Sequence, residues 1–302
     1  VGLNSINDLR MTIMSWVTCA RRFPVRAAMR RNFAFVSNDS AGKSVPLFPV
    51  ITLDVTGTML SYKGSVGQWY CSAAKRSGIP YVNFGDIEQG FREAYKETSE
   101  KYPCFGGSAM TSKDWWKICV RRSFELAGQA VPSDQFDRLF QRIYSLFGSP
   151  RIYEAFEDVI PFLTWAKRRG IVVGVVSNSD ERYVDGVLPM LDIAPDLDFM
   201  IVSKKVGFEK PKPDIFKAAI TSARQFPGLQ DLRPEQVLHI GDNYIKDYCG
   251  ATDFGFRGLL MDRYADFQLD DLKAKSVPVV HDFLDVVESI SYAKYHNGQF
   301  VV

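Results

Sequence analysis

The chain has 302 residues, of which 46% are hydrophobic and 24% are charged, and its formal net charge is +2 at pH 7. These values are ordinary for a globular protein with one large domain or two modest ones. So small a net charge excludes the strongly basic field by which many proteins attract nucleic acid, and we expect no nucleic acid partner.

Two further properties narrow the class of protein. The five cysteines are scattered, and no two have the C-x₂-C spacing of zinc sites, which favours a reducing compartment and no zinc. No apolar run reaches the roughly 18 residues that a membrane-spanning helix needs, so we expect no membrane partner. Neither property indicates an oligomeric state.

Residues 1–44 form a basic leader. From Met11 to Asn38 the chain has no acidic residue, and five arginines are interleaved with apolar residues. This composition is typical of a mitochondrial transit peptide, with Met11 or Met14 as the initiating residue. The alternatives are a disordered basic tail and a gene-model artefact, and the protein would then be cytoplasmic or nuclear.

Short apolar runs that end in polar residues predict strands. The clearest runs are Pro49–Leu53, Ile171–Val176, Phe199–Val202, Val237–Ile240 and Gly258–Met261. Because consecutive residues are apolar, the strands suit burial on both faces, and their alternation with helices indicates a parallel sheet. We predict an α/β fold with a Rossmann-like sheet, in which ligands bind beyond the carboxyl ends of the strands.

More than a hundred residues separate the first two runs, too many for a single crossover, and their pattern is almost wholly helical. We predict a helical cap domain over residues 64–150, inserted into a core formed by residues 45–63 and 151–302. The aromatic residues of this segment are more typical of a helix-bundle core than of a cofactor site.

Individual helix boundaries follow from capping residues. Within the predicted cap, we expect N-caps at Thr111 or Ser112 and at Ser133. A further helix from about Asp158 to Arg169 returns the chain to the sheet.

Polar residues follow three of the predicted strands. Asp54-Val55-Thr56-Gly57-Thr58 follows the first, Ser177-Asn178 the second, and Gly241-Asp242-Asn243 the fourth, with Asp247 shortly after; Lys210-Pro211 precedes the helix that leads to the fourth strand. Singly these are weak signals, since an Asp or Ser at a strand end commonly caps the next helix.

In this order and at these intervals, the motifs resemble the four motifs of the haloacid dehalogenase superfamily. The resemblance covers residues 49–262. The segments Ile87–Arg92 and Thr111–Trp116, together with those around Ser177 and Asp242, narrow it to the subgroup of haloacid dehalogenase-like hydrolase domain-containing protein 3, which includes the rhythmically-expressed-gene-2 proteins. The resemblance indicates no particular substrate for this subgroup.

The resemblance implies a hydrolase that uses Mg²⁺. Asp54 would be the nucleophile that forms an aspartyl-phosphate, and it would share the metal with Asp242 and with the backbone carbonyl of Thr56. Asp247 would bind the metal through water or orient Lys210. Mg²⁺ suits this chemistry because a hard cation held by few carboxylates keeps positions for substrate oxygens.

The remaining predicted site residues would contact the substrate. Lys210 would neutralise the phosphate and Asp54, and Ser177 would donate a hydrogen bond to a phosphoryl oxygen. Asn178 and Thr58 complete the predicted substrate-binding set. Such supporting groups matter because phosphoryl transfer depends on positioning and on charge stabilisation.

Other interpretations of these residues are possible. Both Asp54 and Asp242 could be structural caps, and Lys210 has Lys204, Lys205 and Lys212 as neighbouring competitors for its role. His239 lies inside an apolar run, and we expect it to belong to the core and not to act as a base.

One departure from the superfamily pattern concerns the general acid. Phosphatases of this superfamily usually place a second Asp two residues after the nucleophile, and here that residue is Thr56. Because threonine does not titrate near neutral pH, the substrate must have a good leaving group, or another group must supply the proton, or turnover must be slow.

Three functions therefore remain open. The leading one is a Mg²⁺-dependent phosphatase acting on a small phosphorylated metabolite, with the cap selecting the substrate. The second is metal-independent dehalogenase-type chemistry, against which Asp242 and Asp247 argue. The third is a catalytically weak protein that binds a phosphorylated ligand or a partner, and Thr56 is its best support.

Overall fold

The computed structural model describes residues 47–80, 82–267, 269–292, 294–296 and 299–301. The basic leader of residues 1–44 lies outside the described residues, so its interpretation as a transit peptide stays a prediction. In the part of the chain that is described, no helix is both long enough and apolar enough to cross a bilayer.

A six-stranded parallel sheet forms the centre of the molecule, in the order β5-β4-β1-β6-β7-β8. The strands are β1 (Val50–Leu53), β4 (Val172–Ser177), β5 (Phe199–Val202), β6 (Val237–Gly241), β7 (Arg257–Met261) and β8 (Val279–Val280). The five predicted runs all form strands of this sheet, and the predicted α/β class is confirmed. Strand β8 was not predicted, because two residues are too short to give a periodic signal.

Two short strands outside this sheet were also missed. Strands β2 (Leu60–Tyr62) and β3 (Tyr153–Ala155) pair antiparallel, with Leu60 opposite Ala155. They flank the long helical segment, so the chain enters and leaves that segment through one two-stranded ribbon.

In the described residues between β2 and β3, four α-helices form the helical insertion. They are α1 (Val66–Arg76), α2 (Phe84–Lys101), α3 (Ser112–Leu126) and α4 (Ser133–Leu146). Their apolar faces form a hydrophobic cluster of their own, in which Tyr70 contacts Phe91 and stacks on Phe124. The division into domains at residues 64 and 150 stays a prediction.

The capping predictions for these helices had mixed outcomes. Thr111 is the N-cap of α3, and its side chain accepts a hydrogen bond from the Asp114 amide. The prediction for Ser133 was wrong by one residue: α4 begins at Ser133, and Pro132 is the N-cap. Proline is compatible with that position because its missing N–H has no partner at a helix start.

Helices cover both faces of the parallel sheet. These helices, including single turns, are α5 (Val159–Arg168), α6 (Leu188–Met190), α7 (Ser203–Val206), α8 (Pro213–Ala223), α9 (Gly250–Phe254), α10 (Leu269–Ala274) and α11 (Phe283–Tyr292). The prediction of a helix from about Asp158 to Arg169 is confirmed by α5, which these two residues cap.

Shorter elements complete the description. There are π-helical turns at Tyr183–Val187 and Tyr244–Cys249, 3-10 turns at Cys104–Gly106, Pro150–Ile152, Ala194–Asp196 and Pro234–Gln236, and a hairpin of β9 (Lys294–His296) and β10 (Gln299–Val301).

Alternate residues of β1 point to opposite layers. Ile51 and Leu53 join the cluster that contains Phe162 of α5 and Phe283 of α11, whose rings stack 4.4 Å apart. Val50 joins the opposite cluster, with α8 and α9. The sheet is therefore buried on both faces, as consecutive apolar residues predict.

Truncating Phe162 should destabilise the protein by about 3–5 kcal/mol, because its fully buried ring would leave a cavity between α5 and the sheet. Urea unfolding measures the effect. Ile160 is the matched control, since it lies on the same helix with 39% of its surface exposed. Ile160→Ala should cost less than about 0.5 kcal/mol, and equal losses for Ile160→Ala and Phe162→Ala would contradict this description of the core.

Candidate active site

Three neighbouring strands bring the predicted site residues together. Asp54 follows β1, Ser177 ends β4 and Asp242 follows β6, all at the carboxyl edge of the sheet. With Lys210 and Asp247 they line one cavity of about 700 Å³. The helical insertion supplies part of its wall, so the predicted convergence of these residues is found in the structure.

Lys210 is the central cation of the cavity floor. Its Nζ atom donates hydrogen bonds to Asp54 Oδ1 at 2.6 Å, to Asp247 Oδ1 at 2.5 Å and to the Val176 carbonyl oxygen at 2.7 Å. Burial lowers the pKa of Lys210, but the two carboxylates outweigh burial and raise it. The ammonium is therefore charged at neutral pH.

Asn178 positions the backbone of Lys210. The Lys210 amide donates to Asn178 Oδ1 at 2.7 Å, and Asn178 Nδ2 donates to the Lys210 carbonyl oxygen at 2.9 Å. Asn178 lines the cavity, yet both ends of its side-chain amide bind the chain. This use differs from the substrate contact that we expected for it.

Asp247 and His239 form the second support of the lysine. Asp247 Oδ1 lies 3.1 Å from His239 Nε2, and Oδ2 accepts from the Asn243 amide at 2.9 Å. Burial raises the pKa of Asp247, but Lys210 and His239 outweigh burial and hold this pKa well below its usual range. Burial lowers the pKa of His239. His239 lies in the core as predicted, but no feature of the sequence indicates its contact with Asp247.

Asp54, Asp242 and Asp247 form an acidic cluster. Each offers an oxygen atom, and these three atoms lie within 4.8 Å of one another. Burial raises the pKa of Asp242 well above its usual range, and repulsion by Asp54 and Asp247 adds to this effect. Burial also raises the pKa of Asp54, against the opposing effect of Lys210. One lysine thus leaves negative charge uncompensated.

This donor set fits a divalent cation. Carboxylate oxygens are the ligands that Mg²⁺ prefers, and Mg²⁺ is usually held by one or two of them. A bound cation would also offset the repulsion by Asp54 and Asp247 that adds to the effect of burial on the pKa of Asp242. The three carboxylates are therefore a candidate site for a divalent cation, and the predicted ligand set, which also includes the Thr56 carbonyl oxygen, stays a prediction.

The loop after Asp54 passes close to Asp242, and only glycine permits this approach. Gly57 has a φ of +83°, and a Cβ atom there would lie 2.1 Å from Asp242 Oδ2. The Thr58 carbonyl oxygen accepts two hydrogen bonds from Arg263, at 2.7 and 3.2 Å. The Thr58 side chain is fully buried and is not among the residues lining the cavity, in contrast to its predicted contact with substrate.

Hydroxyl groups surround the position where a second aspartate is usual. Thr56 lines the cavity, and its Oγ1 donates to the Tyr183 hydroxyl at 3.3 Å. The Tyr183 and Tyr62 hydroxyls lie 2.8 Å apart. Burial raises the pKa of both tyrosines, so both are neutral at physiological pH. Neither tyrosine was predicted, because no motif marks them.

The helical insertion is bound to the core by polar contacts. Lys204 Nζ donates to the carbonyl oxygens of Phe105, Gly107 and Met110 at 2.6 to 3.1 Å. Trp116 Nε1 donates to Asp180 Oδ2 at 2.5 Å. Lys204 therefore fixes a loop of the insertion and does not occupy the position of Lys210.

A second set of contacts crosses the same boundary. Glu209 Oε1 accepts from the Cys104 amide at 3.0 Å, and Ser112 Oγ donates to Glu181 Oε2 at 2.6 Å. The first of these contacts connects the insertion to Glu209, the residue that precedes Lys210 in sequence.

Comparisons with known proteins identify relatives of the chain. The family model for haloacid dehalogenase-like hydrolases matches residues 48–255. "Haloacid dehalogenase-like hydrolase domain-containing protein 3" of Mus musculus is 33% identical over 234 residues, which cover 77% of this chain and 88% of that protein. The rhythmically expressed gene 2 protein of Drosophila melanogaster is 27% identical over 226 residues, with coverage of 72% and 85%.

A solved structure shows that the fold is shared. The HAD-hydrolase YfnB from Bacillus subtilis, bound to magnesium, superposes with a TM-score of 0.59 at 14% identity. The match covers 81% of this chain and 99% of that one.

Replacing Lys210 with methionine should destabilise the protein by about 3–5 kcal/mol, because two buried carboxylates would lose their shared counter-ion. Chemical unfolding measures the loss. Lys212→Met is the matched control, since Lys212 is exposed two residues away, and it should change stability by less than about 0.5 kcal/mol. A Lys210→Met variant as stable as wild type would show that the ammonium is not required.

Asp242 should make the metal-free protein less stable as the pH rises. A carboxyl group whose pKa is raised on folding favours the folded state while protonated, and this stability is lost as the pH rises through the folded-state pKa. In chelator, Asp242→Asn should therefore exceed wild type in the free energy of unfolding by more at about pH 8 than at about pH 5.

With Mg²⁺ in place of chelator, wild type should become more stable than Asp242→Asn. Mg²⁺ should raise the melting temperature of wild type, more at high pH, and should have little effect on Asp242→Asn. The exposed Asp231 provides a control, because Asp231→Asn should respond as wild type does. If Mg²⁺ stabilises Asp242→Asn as much as it stabilises wild type, Asp242 is not a metal ligand.

Proposed function

Because the chain belongs to the haloacid dehalogenase-like hydrolase family, we propose that it is a Mg²⁺-dependent phosphatase that acts on a small phosphorylated compound through an aspartyl-phosphate at Asp54. The observation that carries the proposal is the cluster of Asp54, Asp242 and Asp247 around one buried lysine. With a divalent cation bound, the cation and Lys210 would give this site the positive charge that a phosphate needs.

Asp54 is the proposed nucleophile. It lies at the floor of the cavity, with 8% of its surface exposed, and Lys210 binds its Oδ1 atom. This contact fixes the side chain and opposes the effect of burial on its pKa, which favours the carboxylate that attack requires. Covalent catalysis then divides one difficult displacement into two easier ones.

The metal ligands in this proposal are Asp54, Asp242, the Thr56 carbonyl oxygen and Asp247, the last through water. When bound, Mg²⁺ supplies the positive charge that lets an anionic carboxylate approach an anionic phosphate. Asp242 has a raised pKa and must lose its proton to act as a ligand.

The other residues of the cavity floor bind and orient. Lys210 contributes a fixed ammonium beside the nucleophile, and Asp247 and Asn178 hold this lysine in place. Ser177, at the end of β4, lies in the cavity wall and would donate its hydroxyl to a phosphoryl oxygen. The helical insertion closes the opposite side and would exclude water from the reaction.

Dehalogenase-type chemistry at Asp54 and ligand binding without turnover are the competing functions. The first uses the same nucleophile but needs no metal, so the repulsion between Asp242 and its acidic neighbours would serve no purpose in it. The second draws its support from Thr56. Hydrolysis of an aryl phosphate, with and without Mg²⁺, separates these two functions from the proposed phosphatase.

An aryl phosphate should be hydrolysed in the presence of Mg²⁺, and chelator should abolish the release of phosphate. Asp54→Asn should lower kcat/KM at least about 10³-fold, because the nucleophile is lost while the fold is kept. Asp231→Asn is the control for removing a carboxylate from the exposed surface, and it should leave the rate unchanged.

Other outcomes would overturn the proposal. Halide release from a haloacid without metal would favour a dehalogenase. If the protein turns over neither substrate, yet a phosphate-mimicking fluoride with Mg²⁺ raises its melting temperature, it is a binding protein.

A further inference from the structure

The wall of the cavity is strongly aromatic. Eight of its lining residues are Phe, Tyr or Trp. Tyr95, Phe105 and Trp116 lie on the helical insertion, and Tyr62, Tyr153 and Tyr183 lie near β2, β3 and the end of β4. The faces of these rings suit flat, apolar groups, although polar side chains also line the cavity.

The insertion side of this wall is held in place. The Trp116 ring lies 5.9 Å from that of Phe105 and 6.0 Å from that of Tyr95. Its Nε1 atom donates to Asp180, and the Arg182 guanidinium lies 5.1 Å from the ring. These rings therefore present a preformed surface in the cavity that the acidic cluster also lines.

Next to the nucleophile, the structure offers hydroxyls where an acid would be needed. Thr56 does not titrate at physiological pH, and burial raises the pKa of Tyr183, which makes its hydroxyl a weaker proton donor than a carboxyl group. A substrate with an alkoxide leaving group needs a proton from a general acid, since the pKa of such an alcohol is close to that of bulk water.

The carboxyl groups elsewhere in the wall have other partners. Asp180 accepts hydrogen bonds from Arg182 and Trp116. Glu209 accepts one from the Cys104 amide, although burial raises its pKa. Because this raised pKa favours the protonated form, Glu209 must be tested as an alternative acid.

We propose that the substrates are phosphate esters whose leaving oxygen is attached to an aromatic or enolic ring, so that it departs without a proton. This inference rests on the proposed phosphatase activity and specifies its substrate class. The aromatic wall would bind the ring, and the ring would stabilise the negative charge on the departing oxygen. Such a substrate would need no carboxyl group at position 56.

The two steps balance without an acid. The bond between Asp54 Oδ and phosphorus forms as the bond from phosphorus to the ring oxygen breaks, and the electron pair leaves on that oxygen. Water then attacks phosphorus, the Asp54 carboxylate is released, and dihydrogen phosphate carries away both protons of the water.

A leaving-group series tests the inference. With Mg²⁺, kcat/KM for substituted phenyl phosphates should fall roughly tenfold for each unit rise in the phenol pKa, and alkyl phosphates should be turned over far more slowly. Thr56→Asp should reduce this dependence to less than about threefold per unit, because it supplies an acid. Thr56→Asn, of the same shape but without an acid, should keep the steep dependence.

A binding measurement tests the aromatic wall without turnover. Phenylphosphonate should raise the melting temperature of the Mg²⁺-loaded protein more than methylphosphonate does. Trp116→Leu should remove this preference. Trp69→Leu should keep it, because Trp69 is not among the residues lining the cavity.

The possible outcomes distinguish failure of this inference from failure of the proposed phosphatase function. If no phosphate ester is hydrolysed in a Mg²⁺-dependent way, the proposed function fails and the inference fails with it. If hydrolysis occurs with little dependence on the leaving group, only the inference is overturned. A dependence that becomes steep in Glu209→Gln would identify Glu209 as the acid and would also overturn it.

Discussion

The buried ammonium group of Lys210 is the interaction on which the site depends. It binds Asp54 and Asp247 and also donates to a carbonyl oxygen at the end of β4, so it joins three of the strand ends that meet at the cavity floor. Without it, two carboxylates would be buried with no counter-ion, at a cost of several kcal/mol. The lysine stabilises the fold and at the same time fixes the orientation of the proposed nucleophile.

The same charge arrangement connects stability to function. Three carboxyl groups and one lysine leave the metal-free site with excess negative charge, and burial together with repulsion by Asp54 and Asp247 raises the pKa of Asp242. A divalent cation would relieve this repulsion, and the field it creates is the one that a phosphate requires. Because this repulsion destabilises the metal-free protein, binding of a cation would stabilise the folded state.

Much of this could be predicted from the sequence, because its signals were local. Consecutive apolar residues gave the five long parallel strands, and the polar residues after them gave the cavity floor. What could not be predicted depends on contacts between distant segments. No motif marks Tyr183 beside Thr56 or Asn178 on the backbone of Lys210. The Thr58 carbonyl oxygen likewise accepts from Arg263, which lies 205 residues away along the chain.

Diffraction from crystals soaked in Mn²⁺ tests the central claim most directly, because anomalous scattering locates this ion independently of activity. The account predicts one strong peak between Asp54 and Asp242, with Lys210 still bound to Asp54 beside it. An absence of anomalous density at this cluster in fully soaked crystals, or a Lys210 side chain pointing out of the cavity, would contradict the account.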